Sequence, residues 1–169
     1  DNALFSLDFR AEERLAQLYV QVAGRSGRAE KQGEVVLQTH YPDHPLLTTL
    51  LEKGYQAFAE ETLKLRHNMG LPPFSFQALF KAQCRHSEEA ENALSQLASF
   101  FYEQKIEGLQ VLGPIPAPFS KKAGQYRWQL LLQHASRKQL QAALSRYSPE
   151  LIKSSQVRLI LDVDPLDLS

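Results

Sequence analysis

The sequence predicts an α+β fold, in which helices and a mostly antiparallel sheet arise from different stretches of the chain. Apolar residues recur at helical spacing in the first 70 residues, whereas residues 76–85 and 126–133 largely alternate between apolar and polar side chains. Glycines and prolines separate these segments. Residues 74–169 are therefore predicted to form a two-layer βαββαβ domain, a split-βαβ sandwich with both helices on one face of the sheet.

Composition narrows the possible functions. The 169 residues carry 19 basic and 19 acidic side chains, so a nucleic-acid site has to be a local patch. Cys84 is the single cysteine, which excludes an internal disulfide and fits a reducing, cytoplasmic compartment. No apolar run is long enough to span a membrane. The first residue is Asp1, not Met, and we expect a fragment of a longer protein.

The first 41 residues are predicted to contain a helix, a basic loop and a strand. The helix covers residues 8–23 and ends at Gly24. Residues 33–40 have the continuous apolar centre of a buried strand. The expected buried stripe of the helix has i, i+3, i+4, i+7 spacing and consists of Leu15, Leu18, Tyr19 and Val22.

Residues 42–73 are predicted to form a helical bridge. Pro45 can start a helix that Gly54 stops, and a second helix follows over residues 55–68. Gly70-Leu71-Pro72-Pro73 then marks a boundary, because proline does not continue a helix and pushes its predecessor into extended geometry.

The strands of residues 74–169 have an inner and an outer face. Ser87 and Ser136 are predicted to cap the two helices, Ser136 with Gln139 as a capping box. Trp128 falls on the inner face with Leu130, which favours a core position over a base-stacking platform. The inner residues of the first strand are Phe76, Ala78, Phe80, Ala82 and Cys84, and those of the first helix are Ala90, Leu94, Leu97, Ala98 and Phe101.

Two interpretations of the outer face remain open. Its cations could follow a nucleic-acid backbone, although the face lacks the exposed aromatic pair of RNA-recognition sheets. Its apolar centre fits packing against another domain equally well. The cations are Lys81, Arg85, Arg127 and Arg158, and the apolar residues among them are Leu79, Leu131 and Ile160.

The most chemically distinctive segment is Gln21-Val22-Ala23-Gly24-Arg25-Ser26-Gly27-Arg28. Two arginines on a glycine turn suit phosphate, because guanidinium groups donate bidentate, charge-assisted hydrogen bonds and keep their charge when desolvated. The alternative is a basic surface loop. The full octet, with its glutamine at the end of a helix, resembles the sixth motif of superfamily-two helicases.

The resemblance extends over essentially the whole chain. Together with the octet, the segments below resemble the C-terminal portion of the PriA family of bacterial replication-restart helicases, also called primosomal protein N′. They are Phe9 to Leu18, Gly33 to His40, Pro45-Leu46-Leu47, Leu112-Gly113-Pro114, Tyr126-Arg127-Trp128-Gln129 and Leu161-Asp162-Val163-Asp164-Pro165.

This resemblance implies an ATP-dependent, three-prime to five-prime DNA helicase that recognises stalled forks and restarts replication through primosome assembly. Residues 1–41 would then be the remnant of a RecA-like second motor lobe, followed by the bridge (42–73) and the C-terminal domain (74–169). Gln21, Arg25 and Arg28 would face ATP and Mg²⁺ held by the other lobe. Arg28 would be the arginine finger, and Gly24 would lie beside the phosphates.

Parts of the family's machinery are missing from the sequence. It has no Gly-x-x-x-x-Gly-Lys loop, no acidic Mg²⁺ motif and no Cys-x-x-Cys pair for zinc. ATP, Mg²⁺ and zinc are therefore expected only in the full-length protein, and the chain alone is not expected to be catalytic or to bind a metal. The alternative is a non-enzymatic nucleic-acid or protein-interaction module, in which residues 24–28 are only a basic loop.

The resemblance also implies that the C-terminal domain has a small ribosomal-protein-like fold and helps to bind DNA. Lys121, Lys122, Arg127 and Lys81 are the candidate contacts to forks and single strands. For the lysine pair, a solvated loop is the alternative.

Arg137 and Lys138 are candidate partner contacts. They fall in the first turn of a helix, where the macrodipole disfavours cations but free N–H groups attract anions. The resemblance supplies a ligand, the acidic, aromatic-ended tail of the single-stranded-DNA-binding protein, beside other primosome proteins. An exposed helix start with tolerated charges is the alternative.

Overall fold

The computed structural model describes residues 10–25 and 34–166. The chain divides into two compact units, Asp1–Met69 and Gly70–Ser169. In the described ranges, no helix is long and apolar enough to cross a membrane. The division into 1–41, 42–73 and 74–169 stays a prediction.

The first unit contains two helical elements, α1 (Ala11–Ala23) and α2 (Pro45–Asn68). Gly54 interrupts α2 with φ 83° and ψ 179°, so α2 consists of two helical segments, and the predicted glycine stop is confirmed. Ala16 of α1 packs in a small core with Leu46, Leu50 and Phe58 of α2.

Charged groups also join α1 to α2. A salt bridge of 3.0 Å links Arg66 to Glu13, and the arginine side chain is largely buried. Burial raises the pKa of the Glu12 carboxyl, and the charges of His44 and Arg66 partly oppose this by lowering it. Ionic contacts therefore reinforce an apolar interface of few residues.

The predicted buried stripe of α1 is only partly confirmed, because Tyr19 packs against the small core and Leu15 is half-buried. Leu18 is 57% exposed and Val22 is also exposed, whereas Ala11 and Ala16 are buried. The core shared with α2 therefore contains Ala16 and Tyr19, whereas Leu18 and Val22 are left on the surface.

The predicted strand at residues 33–40 is also wrong over its described part. Residues 34–39 have no regular secondary structure. A strand requires backbone hydrogen bonds to a neighbouring strand, and the sheet found in the described chain pairs other segments. Residue 33 lies outside the described residues, as do Asp8 and the first residues of the predicted helix.

The second unit combines helices with an antiparallel sheet, which confirms the α+β class. The strand order is β2-β3-β1-β4, and each neighbouring pair is antiparallel. In chain order the elements are β1 (Phe76–Cys84), α3 (Ser87–Glu103), β2 (Gln110–Lys122), β3 (Gln125–His134), α4 (Arg137–Ser154) and β4 (Arg158–Val163).

Both helices pack on the inner face of this sheet. The rings of Phe80 (β1) and Phe101 (α3) lie 6.1 Å apart, and Tyr147 of α4 meets Phe101 edge-on. The buried core contains the predicted inner residues of β1, β3 and α3, namely Ala78, Phe80, Ala82, Leu130, Leu132, Ala90, Leu94, Leu97, Ala98 and Phe101. The alternation pattern therefore predicted the core correctly.

Only one of the two predicted caps is confirmed. Ser136 caps α4, and its Oγ accepts a hydrogen bond from the Gln139 N–H at 3.4 Å. The cap predicted at Ser87 is wrong, because His86 is the N-cap of α3. The Ser87 hydroxyl instead accepts a hydrogen bond from Trp128 Nε1 at 3.0 Å, so the indole packs against the core as expected.

The outer face of the sheet is not an open surface at its centre. Leu79 is only 1% exposed. Three glutamines form a row across β2, β3 and β1, in which Gln133 hydrogen-bonds both Gln110 and Gln77. Gln133 Nε2 also donates to the Gly70 carbonyl at 3.0 Å, so the start of the unit lies across this row. Burial favours packing over nucleic-acid binding for the centre of this face.

Gly54→Ala tests the break in α2. A Cβ at residue 54 would meet no atom within 4 Å, but the backbone conformation is one that almost only glycine adopts. We expect a loss of about 1–3 kcal/mol in the free energy of unfolding. In a continuous helix the same change would raise the free energy of unfolding by roughly 1 kcal/mol. The sign of the change therefore shows whether Gly54 interrupts the helix. Urea denaturation followed by circular dichroism measures it, with exposed Lys53→Ala as the matched control.

Candidate nucleic-acid and partner sites

The candidate DNA and partner residues of the second unit lie mostly at opposite ends of its sheet. The β1–β3 register pairs Cys84 with Tyr126 at one end and Phe76 with His134 at the other. At about 3.3 Å per residue, these ends are roughly 26 Å apart. We call the first the basic end (Arg85, Lys121, Lys122, Arg127 and Arg158) and the second the Arg137 end (Phe76, Arg137 and Asp164).

A cross-strand row carries two arginines at the basic end. Gln83 of β1 is paired with Arg127 of β3 on one side and with Arg158 of β4 on the other. Directly opposed residues point to the same face of a sheet, so both arginines share the outer face. With strands about 4.8 Å apart, their Cα atoms lie roughly 10 Å from each other.

The lysine pair belongs to the β2–β3 hairpin. Lys121 is paired with Tyr126 and Lys122 with Gln125, so both lysines belong to strand β2 and not to a loop. The turn is only Ala123 and Gly124, both with positive φ. The Lys121 ammonium lies 4.9 Å from the centroid of the Tyr126 ring, a cation–π contact that holds this side chain at the hairpin end.

The candidate cations differ in whether a carboxylate balances them. Lys81, in the middle of β1, forms a 3.5 Å ion pair with Asp162, and its side chain is only 19% exposed. Within residues 10–25 and 34–166, Lys122 and Arg127 have no acidic partner. The uncompensated charge is thus at the basic end.

At the Arg137 end, an arginine is already oriented. Arg137 forms a 3.0 Å ion pair with Asp164, and its guanidinium carbon lies 4.7 Å from the centroid of the Phe76 ring. Asp164 has φ 52°, and its N–H donates to the Gln77 carbonyl at 2.8 Å. The first turn of α4 contains no acidic residue, and the neighbouring Lys138 is exposed.

In the first unit, Gln21 and Arg25 lie four residues apart at the end of α1, and both are exposed. Gly24 is the C-cap of the helix. Arg28 lies outside the described residues. Gln21 lines an open groove of about 650 Å³ together with Arg14, Gln17, Leu18, Val20 and Tyr55.

Within the described chain, no group of three His, Cys, Asp or Glu side chains is arranged to hold a metal ion. Sequence reasoning missed Asp164 as the partner of Arg137. The two residues are far apart in sequence, and only the pairing of β1 with β4 brings Asp164 towards α4.

Comparison with known proteins identifies the family. The family described as "Primosomal protein N C-terminal domain" (PriA_C) matches residues 67–166, more than half of the chain. The chain belongs to this PriA family. It is 79% identical to "Replication restart protein PriA" of Haemophilus influenzae over 100% of its own length and 23% of that protein, whose C-terminal part it matches.

More distant relatives of the PriA family carry the same name. The identity is 33% to the protein of Synechocystis, over 99% of this chain and 20% of the relative. It is 30% to that of Bacillus subtilis, over 98% of this chain and 21% of the relative. The chain thus spans less than a quarter of the length of each of these relatives.

Proposed function

We propose that this chain is the C-terminal part of an ATP-dependent DNA helicase that restarts replication at stalled forks. In this proposal its second unit is a domain that binds DNA and a protein partner. The observation that carries the proposal is the 79% identity, along the whole chain, to a protein named for replication restart. At that identity about four residues in five are the same.

The basic end supports DNA binding. Lys122 and Arg127 keep uncompensated charges at neighbouring places on β2 and β3, where they can replace the counterions of phosphates. Lys121 adds a third cation, held by Tyr126. Lys81 contributes least, because Asp162 already balances its charge.

Lys122→Ala and Arg127→Ala test DNA binding by the chain. Each change removes one phosphate contact, so affinity for a labelled 20-base-pair duplex should fall, and the slope of log K against log salt should become less negative by about 1. Fluorescence anisotropy at several salt concentrations measures both quantities. Exposed Lys64→Ala, in α2, is the charge-matched control. If the salt-dependence slopes of Lys122→Ala and Arg127→Ala equal the slope of the control variant, the basic end is not a DNA-binding site.

The Arg137 end supports binding of an acidic peptide tail. Phe76 and Asp164 hold the guanidinium in place, which reduces the entropy lost when a ligand carboxylate binds. A terminal carboxylate could take the place of Asp164, and the aromatic end of the tail of the single-stranded-DNA-binding protein could pack near Phe76. Lys138 is exposed one residue along α4 and adds positive charge.

Two opposite changes test this site. Arg137→Ala removes a charge-assisted hydrogen bond and should weaken binding of a labelled tail peptide by about tenfold or more. Asp164→Asn removes the competing carboxylate and should strengthen binding by about two- to fivefold, the scale of an exposed ion pair. Asparagine also tolerates the positive φ of this residue.

Fluorescence polarisation measures both affinities. Asp162→Asn is the control for Asp164→Asn, because it also removes a carboxylate, two residues away. If Asp164→Asn weakens binding as Arg137→Ala does, the tail does not replace Asp164. Unchanged affinity in Arg137→Ala would rule out this end of the sheet as the peptide site.

The end of α1 supports a role in nucleotide hydrolysis in the full-length protein. Gln21 and Arg25 are exposed, so their side chains are available to a nucleotide held elsewhere in the protein. The chain has no Gly-x-x-x-x-Gly-Lys loop of its own, so ATP and Mg²⁺ would be bound by another part of the protein, as would zinc. Arg28 is the proposed finger on the γ-phosphate.

In the full-length protein, Arg28→Ala should lower ATP turnover by about three to five decades while leaving fork binding unchanged. A phosphate-release assay and a fork-binding assay on the same preparation separate the two effects. Lys31→Ala changes another cation of the same segment and should leave turnover near its original rate. If turnover persists in Arg28→Ala, this residue is not the finger.

A further inference from the structure

The strand β2 contains a large bulge beside the basic end. Pro116 pairs with Trp128 and Lys121 with Tyr126, so four residues of β2 lie opposite a single residue of β3, Arg127. Such bulges re-aim side chains and are frequent next to functional sites. Phe119, within the bulge, is 70% exposed, whereas Ala117 is buried.

One exposed phenylalanine is not unusual in itself, but the surroundings of Phe119 are. Arg127 lies opposite the bulge, and Lys121 and Lys122 follow it directly. Tyr126 precedes Arg127 in β3 and points to the other face of the sheet, where the Lys121 ammonium contacts its ring. An exposed aromatic side chain beside uncompensated cations is a combination with which proteins bind single-stranded nucleic acids.

The segment of sequence that contains the bulge carries no acidic residue. From Gly108 to Pro149 the sequence contains no Asp or Glu but six Lys or Arg residues, although the whole chain is electrically neutral. The stretch comprises β2, β3 and most of α4. Of the six cations in this stretch, Lys121, Lys122 and Arg127 lie near Phe119, whereas Arg137 and Lys138 lie at the Arg137 end. Glu89 of α3 also lies at the basic end, but it contacts Cys84 on the inner face. The cations beside Phe119 on β2 and β3 complement a polyanion.

We infer that the β2 bulge is a base-stacking site for single-stranded DNA, in which Phe119 stacks on an unpaired base and Lys122 and Arg127 contact the adjoining phosphates. This inference rests on the proposed DNA-binding function and adds strand discrimination to it. Lys122 and Arg127 can contact the phosphates of single- or double-stranded DNA. In a duplex, stacking neighbours cover the faces of the bases, so Phe119 can stack only on an unpaired base.

Phe119→Ala in the 169-residue chain tests this inference. Affinity for a labelled 20-nucleotide oligothymidylate should fall by about 5- to 160-fold, which corresponds to the roughly 1–3 kcal/mol of one base–aromatic stack. Affinity for a 20-base-pair duplex should stay within about twofold. Fluorescence anisotropy measures both. Leu112→Ala, another exposed apolar side chain on β2, is the matched control and should change neither affinity.

Phe119→Trp supplies a second readout. Tryptophan also stacks on bases, so this variant should keep affinity for oligothymidylate within about threefold of the original chain. Its emission, after subtraction of the signal from Trp128, should be quenched when the oligonucleotide binds. Absence of quenching together with unchanged affinity would overturn the inference.

The outcomes separate the stacking site from the DNA-binding function on which it rests. If Lys122→Ala weakens binding of both substrates but Phe119→Ala weakens neither, DNA binding stands and the stacking site is overturned. An equal loss for both substrates in Phe119→Ala also overturns it. If neither Lys122→Ala nor Phe119→Ala changes the affinity for either substrate, both proposals fail.

Discussion

The antiparallel register between β1 and β3 is the constraint on which the second unit depends. Because side chains alternate along a strand, this register places Phe80 and Leu130 on the inner face, where α3 and α4 cover them. A slip of one residue would move both to the outer face and bring Lys81 and Gln129 into the core. The same register aligns Gln83 with Arg127, so core packing and the placement of the candidate DNA residues have a common origin.

Pairing of charges divides the cations of a neutral chain into two groups. Arg66, Lys81 and Arg137 each have a carboxylate within 4 Å, and these pairs fix the positions of side chains. The cations of the basic end have no such partner among the described residues, and their field acts at longer range. The basic end and the Arg137 end are separated by most of the length of β1, so the proposed DNA site and the proposed peptide site do not overlap.

The first unit shows that the apolar periodicity of a helix does not always identify its buried face. Leu18 and Val22 have the spacing of a buried stripe, yet both are exposed, and Ala16 packs with Tyr19 against α2 instead. The exposed stripe contributes Leu18 to the groove that also contains Gln21. Which face is buried depends on the neighbouring element, and periodicity within one helix does not carry that information.

The sequence by itself determined the features that depend on neighbours along the chain. The break at Gly54, the Ser136 cap, the inner residues of β1 and the buried side of α3 follow from local backbone preference and periodicity. The PriA family was also predictable, since the helicase-like octet and the segments near the C-terminus are legible without coordinates. The roles of Gln21, Arg25 and Arg28 stay predictions, because their nucleotide would be held outside this chain.

Tertiary structure decided the features that depend on residues distant in sequence. It buried Leu79 on the outer face, for which the sequence had left both packing and nucleic-acid binding open, and it paired Arg137 with Asp164. It also turned Phe119 outward through a mismatch of four residues against one between β2 and β3. Each of these results comes from strand pairing and long-range packing. A local sequence pattern indicates which face of an element a side chain lies on, but not which other residues it contacts on that face.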